Sequence, residues 1–410
     1  MASTEVCEQA FHDYEKPLIT YGRPYTELCR KHAEETFHAS RVFIIASGSL
    51  SRDTNALSDL EKALDGKVVD VKTGMSPHTL MNECLEVMQD VKKVDADLIV
   101  TLGGGSLSDA SKMIAYGLAN DITTKEEIIA LPHAMGADPG QTKPPKIPII
   151  AIPTNLAGGE YIPFAGVTDH DDGTKYQIMG PIKGPALIIL SGELALTTPV
   201  KTWLASGVRS VDHCVEALCT LRRPETGWEE AEEAAIKGLQ CLVPSLLKTK
   251  SDPTDVESRH VAQLGVKYSL VPLKNRVFKG ASHAIGHFLG PMGVAHGETS
   301  CILMTPTQKY NAKVNAREQA AVQKVLWGIE EAKAVFLSKG LTEEQSDLGD
   351  LLDAFVRALG LPRSLTEVGV TGEDKLQTLS VNSLKDLYAR TNPIPLKTPE
   401  QVMDILQMCK

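Results

Sequence analysis

Nothing in this sequence approaches the roughly 18 to 20 consecutive apolar residues that cross a bilayer, so no membrane-spanning helix is expected. The first residues, MASTEVCEQAFHDYEK, are polar and lack the apolar core of a signal peptide, so a cytoplasmic protein is expected. There is no excess of basic charge. A formal net charge of −10 argues against a nucleic-acid surface, although small anions remain open because local fields decide their binding. The eight cysteines are scattered and form no CxxC pair. That argues against a disulfide framework or a thiolate metal site and for reduced, buried thiols. Internal repeats and low-complexity tracts are absent, and so is the GxGxxG dinucleotide fingerprint.

What is present is an ordinary globular balance over 410 residues, 42% hydrophobic and 23% charged, enough for two domains. The first half alternates. RVFIIAS (41–47), KVVDVKTG (67–74), ADLIVTLGGGS (96–106) and KIPIIAIPT (146–154) read as strands. TNALSDLEKAL, HTLMNECLEVMQDVKKV and DASKMIAYGLA, between them, have helical apolar spacing. This pattern predicts an α/β nucleotide-binding domain with a mainly parallel sheet and helices on both faces. The Pro- and Gly-rich segment 132–146 reads as a surface loop. Beyond about residue 195 strand signals nearly vanish, and amphipathic helices are predicted at 229–248, 255–271, 314–338 and 345–358. The expected division is 1–195, dinucleotide-binding, and 196–410, an all-α substrate domain. Such a pair is expected to leave a cleft for a ligand.

Two glycine-bearing turns follow predicted strands. Gly103, Gly104, Gly105 and Ser106 lie between a strand and a helix, with Asp109 in the first helical turn. Glycines let backbone approach a phosphate, and the helix start offers free N–H groups; a plain tight turn has the same signature. PTNLAGGE (153–160) mixes hydroxyl, amide and glycine donors, which suits a ribose or nicotinamide as well as it suits a turn.

The second half concentrates histidines. His213 follows Arg209 by four residues in SGVRSVDHCVEAL, so on a helix both share a face. GASHAIGHFLGPMGVAHGE adds His283, His287 and His296. Histidines gathered in this way suggest a divalent metal. A guanidinium, however, has no lone pair to give and does not deprotonate in proteins. A fixed cation therefore stands among potential ligands.

At this point the chain resembles the iron-dependent alcohol dehydrogenase superfamily, and within it the maleylacetate reductases. GGGSLSDASK resembles the pyrophosphate loop. PTNLAGGE resembles the reductase form of the nicotinamide loop, PTTYAGSE. SGVRSVDHCVEAL and SHAIGHFLG…HGE resemble the paired helical motifs, and TNPIPLKTPEQV resembles an NPRP signature followed by a helix. The motifs occur in the family's order over nearly the whole chain. The resemblance implies a dehydroquinate synthase-like architecture and a homodimer. It implies that Gly103, Gly104, Gly105 and Ser106 hold the cofactor pyrophosphate and that Asp109 fixes that loop. Thr154 and Asn155 then line the nicotinamide side, and Lys175 lies near the ribose. His213, His283 and His296 match three of four metal-ligand positions, and His287 matches a histidine near the reacting carbon.

Three departures matter. The family's fourth ligand is an aspartate, and its position here is Arg209; maleylacetate reductases also lack that aspartate and work without metal. The first strand ends in Ser47, Ser49 and Arg52 instead of an aspartate, which leaves room for a 2′-phosphate. SGEL (191–194) stands where many relatives have DPEL, and we have no physical account of it. The expectation is a metal-independent reductase using NADPH or NADH on a small anionic carbonyl or enone substrate. Arg209, His213, His283, His287 and His296 would form its catalytic set. The alternatives are a metal-dependent alcohol dehydrogenase using His213, His283 and His296, and a non-redox isomerase, lyase, cyclase or binding protein.

Overall fold

Three of the apolar runs of the first half become central strands with both faces covered, and the fourth, 68–73, forms a partly exposed edge. A computed structural model describes residues 4–76, 78–133, 138 and 140–410. Its chain divides into two units, Met1–Thr197 and Thr198–Lys410.

The first unit begins with β1 (Val6–Gln9), β2 (Leu18–Tyr21), α1 (Tyr25–Lys31), β3 (Val42–Ala46), α2 (Gly48–Asp53), α3 (Ala56–Ala63) and β4 (Val68–Thr73). It continues with α4 (Met81–Lys93), β5 (Leu98–Gly103), α5 (Gly105–Ala119), α6 (Lys125–Ile129) and β6 (Ile149–Pro153). It closes with β7 (Ala165–Thr168), β8 (Lys175–Ile178), β9 (Leu187–Ile189) and α7 (Gly192–Ala195). A seven-stranded sheet runs β1-β2-β9-β6-β5-β3-β4, parallel except for β1. Every residue of β3, β5 and β6 is buried, as parallel strands between two helical layers require. Successive side chains alternate between two cores. Phe43, Ile45 and Ile99 pack with Met88 of α4 and Met113 of α5 on one face. Ile44, Val100 and Ile150 pack with Leu28 of α1 and Leu60 of α3 on the other.

Several strands escape a reading by pattern. β1 (VCEQ) is exposed throughout, β9 has three residues, and β7 with β8 forms a separate two-stranded hairpin. Of the expected loop 132–146, residues 134–137 and 139 lie outside the described residues; the remainder forms neither helix nor strand.

Among its described residues the second unit is helical: α8 (Val200–Leu218), α9 (Trp228–Ser251), α10 (Val256–Lys274), α11 (Ala281–Leu289), α12 (His296–Trp327) and α13 (Glu330–Ser338), then α14 (Leu348–Leu359), α15 (Glu373–Ser383), α16 (Leu387–Thr391) and α17 (Pro399–Gln407). The single helix expected at 314–338 is two, because Gly328 ends α12 and the chain restarts at Glu330. Within α12, Asn315 leaves helical geometry (φ −126°, ψ 31°). Its side chain donates to Cys219 O at 2.8 Å, and Gln319 donates back to Asn315 Oδ1 at 2.9 Å, so the break is satisfied by hydrogen bonds. No described helix is long and apolar enough to cross a membrane. All eight thiols are unpaired; Cys7 is exposed, Cys241 half-buried and the other six buried.

A buried polar knot ties α5 to the segment after β6. The Lys112 ammonium is fully buried, pairs with Asp109 at 2.7 Å and donates to Gly159 O at 3.0 Å. Asp109 in turn accepts from Gly166 N at 3.2 Å. Beside it Glu160 is buried, and desolvation pushes its carboxyl up to about 7. The folded state therefore favours the protonated form. This contribution is fully present below the unfolded value near 4.5 and is lost as pH rises through about 7. Glu160→Gln is expected to raise stability at pH 8 by up to about 3 kcal/mol and to change little at pH 4. Thermal unfolding of both proteins across that range checks it; equal shifts at both pH values would contradict the assignment.

Candidate active site

In the first unit, β5 ends at Gly103 with φ +155°, a conformation that suits glycine. Gly104 precedes α5 and no side chain caps this helix, so its first N–H groups have no partner from a cap. A Cβ on Gly103 would lie 2.6 Å from Leu107 Cδ1, and one on Gly104 2.5 Å from Asn155 Nδ2. The neighbouring chain thus comes close because side chains are missing there. Thr154 N donates to Gly103 O at 3.1 Å, and Asn155 Oδ1 accepts from Ala157 N at 3.1 Å, forming the turn after β6. Ser47, at the end of β3, donates its N–H to Leu102 O at 2.9 Å and bonds Ser49 Oγ at 3.2 Å. The structure therefore brings Ser47, Gly103, Gly104, Gly105, Thr154 and Asn155 to one end of the parallel strands. Ser106 lies in the first turn of α5, and its carbonyl accepts from Thr79 Oγ1 at 3.2 Å. Asp109 sits further along that helix. Lys175, at the start of β8, lies against Gly166, where a Cβ would meet its Cε at 2.8 Å.

In the second unit, α8 carries Arg209 and His213 one turn apart, both buried. The ring of His213 lies 4.8 Å from that of His283 on α11. His287, one turn further along α11, is 6.3 Å from His283 and stacks on His296 at 6.5 Å, nearly parallel. His296 opens α12, and its place is set by Gly297. A Cβ at Gly297 would stand 2.6 Å from Ala205 C and 2.7 Å from Ser206 N, so α12 starts directly against the backbone of α8.

Two acids on α8 complete this group, and pattern reading missed both. Glu216 accepts from Gly280 N (2.9 Å), Ser282 N (2.9 Å) and His283 Nδ1 (2.7 Å). Asp212 accepts from Ser282 Oγ at 2.6 Å and lies 3.6 Å from His283 Nδ1. Their signal was spacing alone, since Glu216 follows His213 by three residues on the same helix. Lys279, Asp386 and Tyr388 also went unread. Asp386 bonds His287 Nδ1 at 2.8 Å, and the Tyr388 ring lies 5.9 Å from His287 and 6.3 Å from His283.

Electrostatically the group is a buried cluster of opposed charges. The Arg209 guanidinium donates to Thr299 Oγ1 at 3.3 Å and Ser300 Oγ at 3.4 Å, both neutral and both long. Burial lowers its pKa, while Asp212 and Glu216 favour its charge. Burial raises Asp212, and burial with the nearby Asp212 raises Glu216. Burial holds His213 and His283 well below the usual imidazole range, and the positive charges of Lys279 and Arg209 add to this. Both imidazoles are therefore neutral. His283 Nδ1 is hydrogen-bonded to Glu216, and its buried Nε2 has no hydrogen-bond partner; nor has His213 Nδ1.

A parallel-sheet unit with a glycine-rich turn, followed by a helical unit lined with histidines, is the plan of a two-domain oxidoreductase. The chain belongs to the iron-containing alcohol dehydrogenase family. The model of that family matches residues 21–191, and the model of the family's C-terminal region matches residues 203–409. A dehydrogenase of Alternaria alternata, ALT3, is 37% identical over 91% of this chain and all of its own. A dehydrogenase of Gibberella moniliformis, FUM7, is 35% identical over 96% of each chain. Maleylacetate reductase from a Rhizobium species is 26% identical over 82% of this chain and 80% of its own. The crystal structure of that reductase superposes with a TM-score of 0.73, at 23% identity over 99% of this chain and 97% of that one. An iron-containing alcohol dehydrogenase from Thermococcus thioreducens superposes with a TM-score of 0.78, at 22% identity over 97% and 98%. The chain is thus an oxidoreductase of this family.

The close approach at Gly297 gives a direct test of how α12 is held. Gly297→Ala is expected to cost about 2 to 3 kcal/mol, because the obstruction is backbone and cannot turn aside. Gly290→Ala, where no atom lies within 4 Å of the added Cβ, is the control and should be near neutral. Unfolding midpoints of the two variants decide it.

Proposed function

We propose that this oxidoreductase reduces a small anionic carbonyl or enone substrate with NADPH or NADH and without a metal, in the manner of a maleylacetate reductase. The observation that carries the reading is Arg209. It is a buried guanidinium whose hydrogen bonds among the described residues go to hydroxyls, in the position where the family places an aspartate ligand.

The residues at this place do not fit a metal. Orphaned imidazole nitrogens suit a metal as well as they suit a hydrogen-bond donor, so they do not decide. The third donor and the local charge weigh against one. Among the described residues, His213, His283 and His296 do not bring three donor atoms within 4.8 Å of one another; the buried group that does is Asp212, Glu216 and His283. Both Asp212 and Glu216 are already engaged by hydrogen bonds. A permanent cation at position 209 repels a second one. Charge is nonetheless conserved in kind: a divalent ion with one carboxylate leaves one net positive charge, and a guanidinium carries one. Arg209 thus supplies the fixed positive charge that polarises a substrate carbonyl or holds a substrate carboxylate in a bidentate pair.

The first unit fits a dinucleotide. The cradle at Gly103 to Gly105, which side chains would fill, and the uncapped start of α5 suit a pyrophosphate, with Thr154 and Asn155 on the nicotinamide side. Asp109 and Lys112 brace that helix, and Lys175 reaches the ribose side. A structural neighbour, sulfoacetaldehyde reductase from Bifidobacterium kashiwanohense, was solved in complex with NAD+. No carboxylate stands at Ser47, Gly48 or Ser49, and Asp53 is tied to Arg52 at 2.8 Å, which favours acceptance of NADPH. The bound nicotinamide supplies the hydride. The protein residues orient the substrate, hold charge at its oxygen, and deliver a proton from His287 or His283.

The test is oxidation of NADPH and NADH driven by maleylacetate and related keto acids, before and after exhaustive chelation. Turnover is expected to survive chelation, and Arg209→Gln is expected to lower kcat/KM by about 100-fold, the effect of deleting an oxyanion donor. Activity lost on chelation and restored by added metal would overturn the metal-free reading. Kinetics unchanged in Arg209→Gln would remove Arg209 from the chemistry.

A further inference from the structure

His287 differs from the other histidines of the second unit in what holds it. Its side chain keeps 28% of its exposure, whereas that of His283 keeps 3%. His283 bonds Glu216 among buried cations; the more exposed His287 bonds a carboxylate of α16's N-cap, Asp386 Oδ2, at 2.8 Å. The other oxygen, Asp386 Oδ1, accepts from Tyr388 N at 2.8 Å and caps α16. Each oxygen of one carboxylate thus has its own task. Two further rings lie near it, that of His296 parallel at 6.5 Å and that of Tyr388 tilted at 5.9 Å.

An ionised carboxylate only accepts hydrogen bonds. Nδ1 of His287 must therefore carry a proton, and that fixes the chemistry left to Nε2. We infer that Asp386 is a positioning residue for the reaction. It locks the tautomer and the ring plane of His287, so that Nε2 of His287, and not a nitrogen of His283, meets the substrate oxygen. This inference rests on the reductase reading above. In the reduction, hydride from the nicotinamide adds to the carbonyl carbon and the π pair moves to oxygen. The oxygen takes the proton from Nε2 of the doubly protonated ring. Nδ1–H stays on Asp386, and solvent returns the proton. The hydrogen bond to Asp386 keeps the ring in place before and after transfer, as an aspartate does behind a catalytic histidine in other enzyme classes.

Asp386→Asn separates positioning from folding. An asparagine keeps one oxygen, enough to cap α16. It turns an amide N–H toward His287, which forces Nδ1 to accept and moves the proton to Nε2. Asp386→Glu keeps a carboxylate and is the conservative partner. Two readouts on the full-length protein decide the matter. The first is the ¹⁵N spectrum of histidine-labelled protein, with His287 assigned by comparison with His287→Gln. The wild type is expected to show a protonated Nδ1, and Asp386→Asn the opposite tautomer. The second is steady-state reduction. Asp386→Asn is expected to lose at least about tenfold in kcat while KM stays within about threefold. Asp386→Glu should recover part of the loss, and melting temperatures should agree within about 2 °C. The same tautomer in wild type and Asp386→Asn would overturn the inference. So would a reversed tautomer with kcat within about twofold of wild type. If the wild type turns over none of the carbonyls offered, the reductase reading fails, and the ¹⁵N spectrum still decides whether Asp386 sets the tautomer of His287.

Discussion

The second unit's site hangs on one carboxylate. Glu216 reaches from α8 and takes three donors from the start of α11: the N–H groups of Gly280 and Ser282 and Nδ1 of His283. The first two belong to a helix start, where orphan N–H groups and the helix dipole favour a negative charge. Asn392, from the C-terminal signature, takes the next N–H, that of Ala281, at 3.0 Å. With this anchor in place, α8 and α11 have a fixed register, and Arg209, His213 and His283 fall together as a consequence. Losing the carboxylate would leave several buried donors without a partner, a penalty that falls on each group separately.

Around that anchor the protein buries charge of both signs. Arg209 and Lys279 are cations, Asp212 and Glu216 are acids, and none of the four is more than a few per cent exposed. Burial alone disfavours each of these ions. Together they are tolerated because each lies in the field of the others. Burial keeps His213 and His283 neutral, and the same cations add to it. The result is a preset field, positive at Arg209, with uncharged imidazoles beside it. A site of this kind needs no solvent reorganisation when charge develops on a bound carbonyl.

How far this was legible in the chain depends on distance along it. Strands β3, β5 and β6 could be read because total burial forces continuous apolar runs. The glycine turn after β5 could be read because close backbone approach forbids side chains. Arg209 and His213 could be paired because one helical turn separates them. β1 could not be read, since an exposed edge strand of VCEQ carries no apolar period. Asp386 was hidden for another reason. It is 99 residues from the histidine it holds, and no local pattern marks such a partner. Lys279 was hidden as well, because a buried lysine looks in sequence like any surface lysine. Roles assigned by motif therefore located ring nitrogens, but of the groups that hold them Asp212 and Glu216 lay unread inside a motif, and Lys279 and Asp386 lay outside.

Helix α8 has a further meaning for how such a site changes over generations. Sixteen of its 19 residues are buried, so it has solvent on almost no side. A helix enclosed in this way cannot roll or slide to suit a new neighbour without disturbing every packed face at once. Position 209 therefore behaves like a socket. The residue in it can be exchanged, but the socket cannot move. A change of side chain there alters the buried charge within the same walls, and no graded path of small displacements leads to it. Diversity in such a lineage is expected to come as discrete changes of charge inside a constant frame.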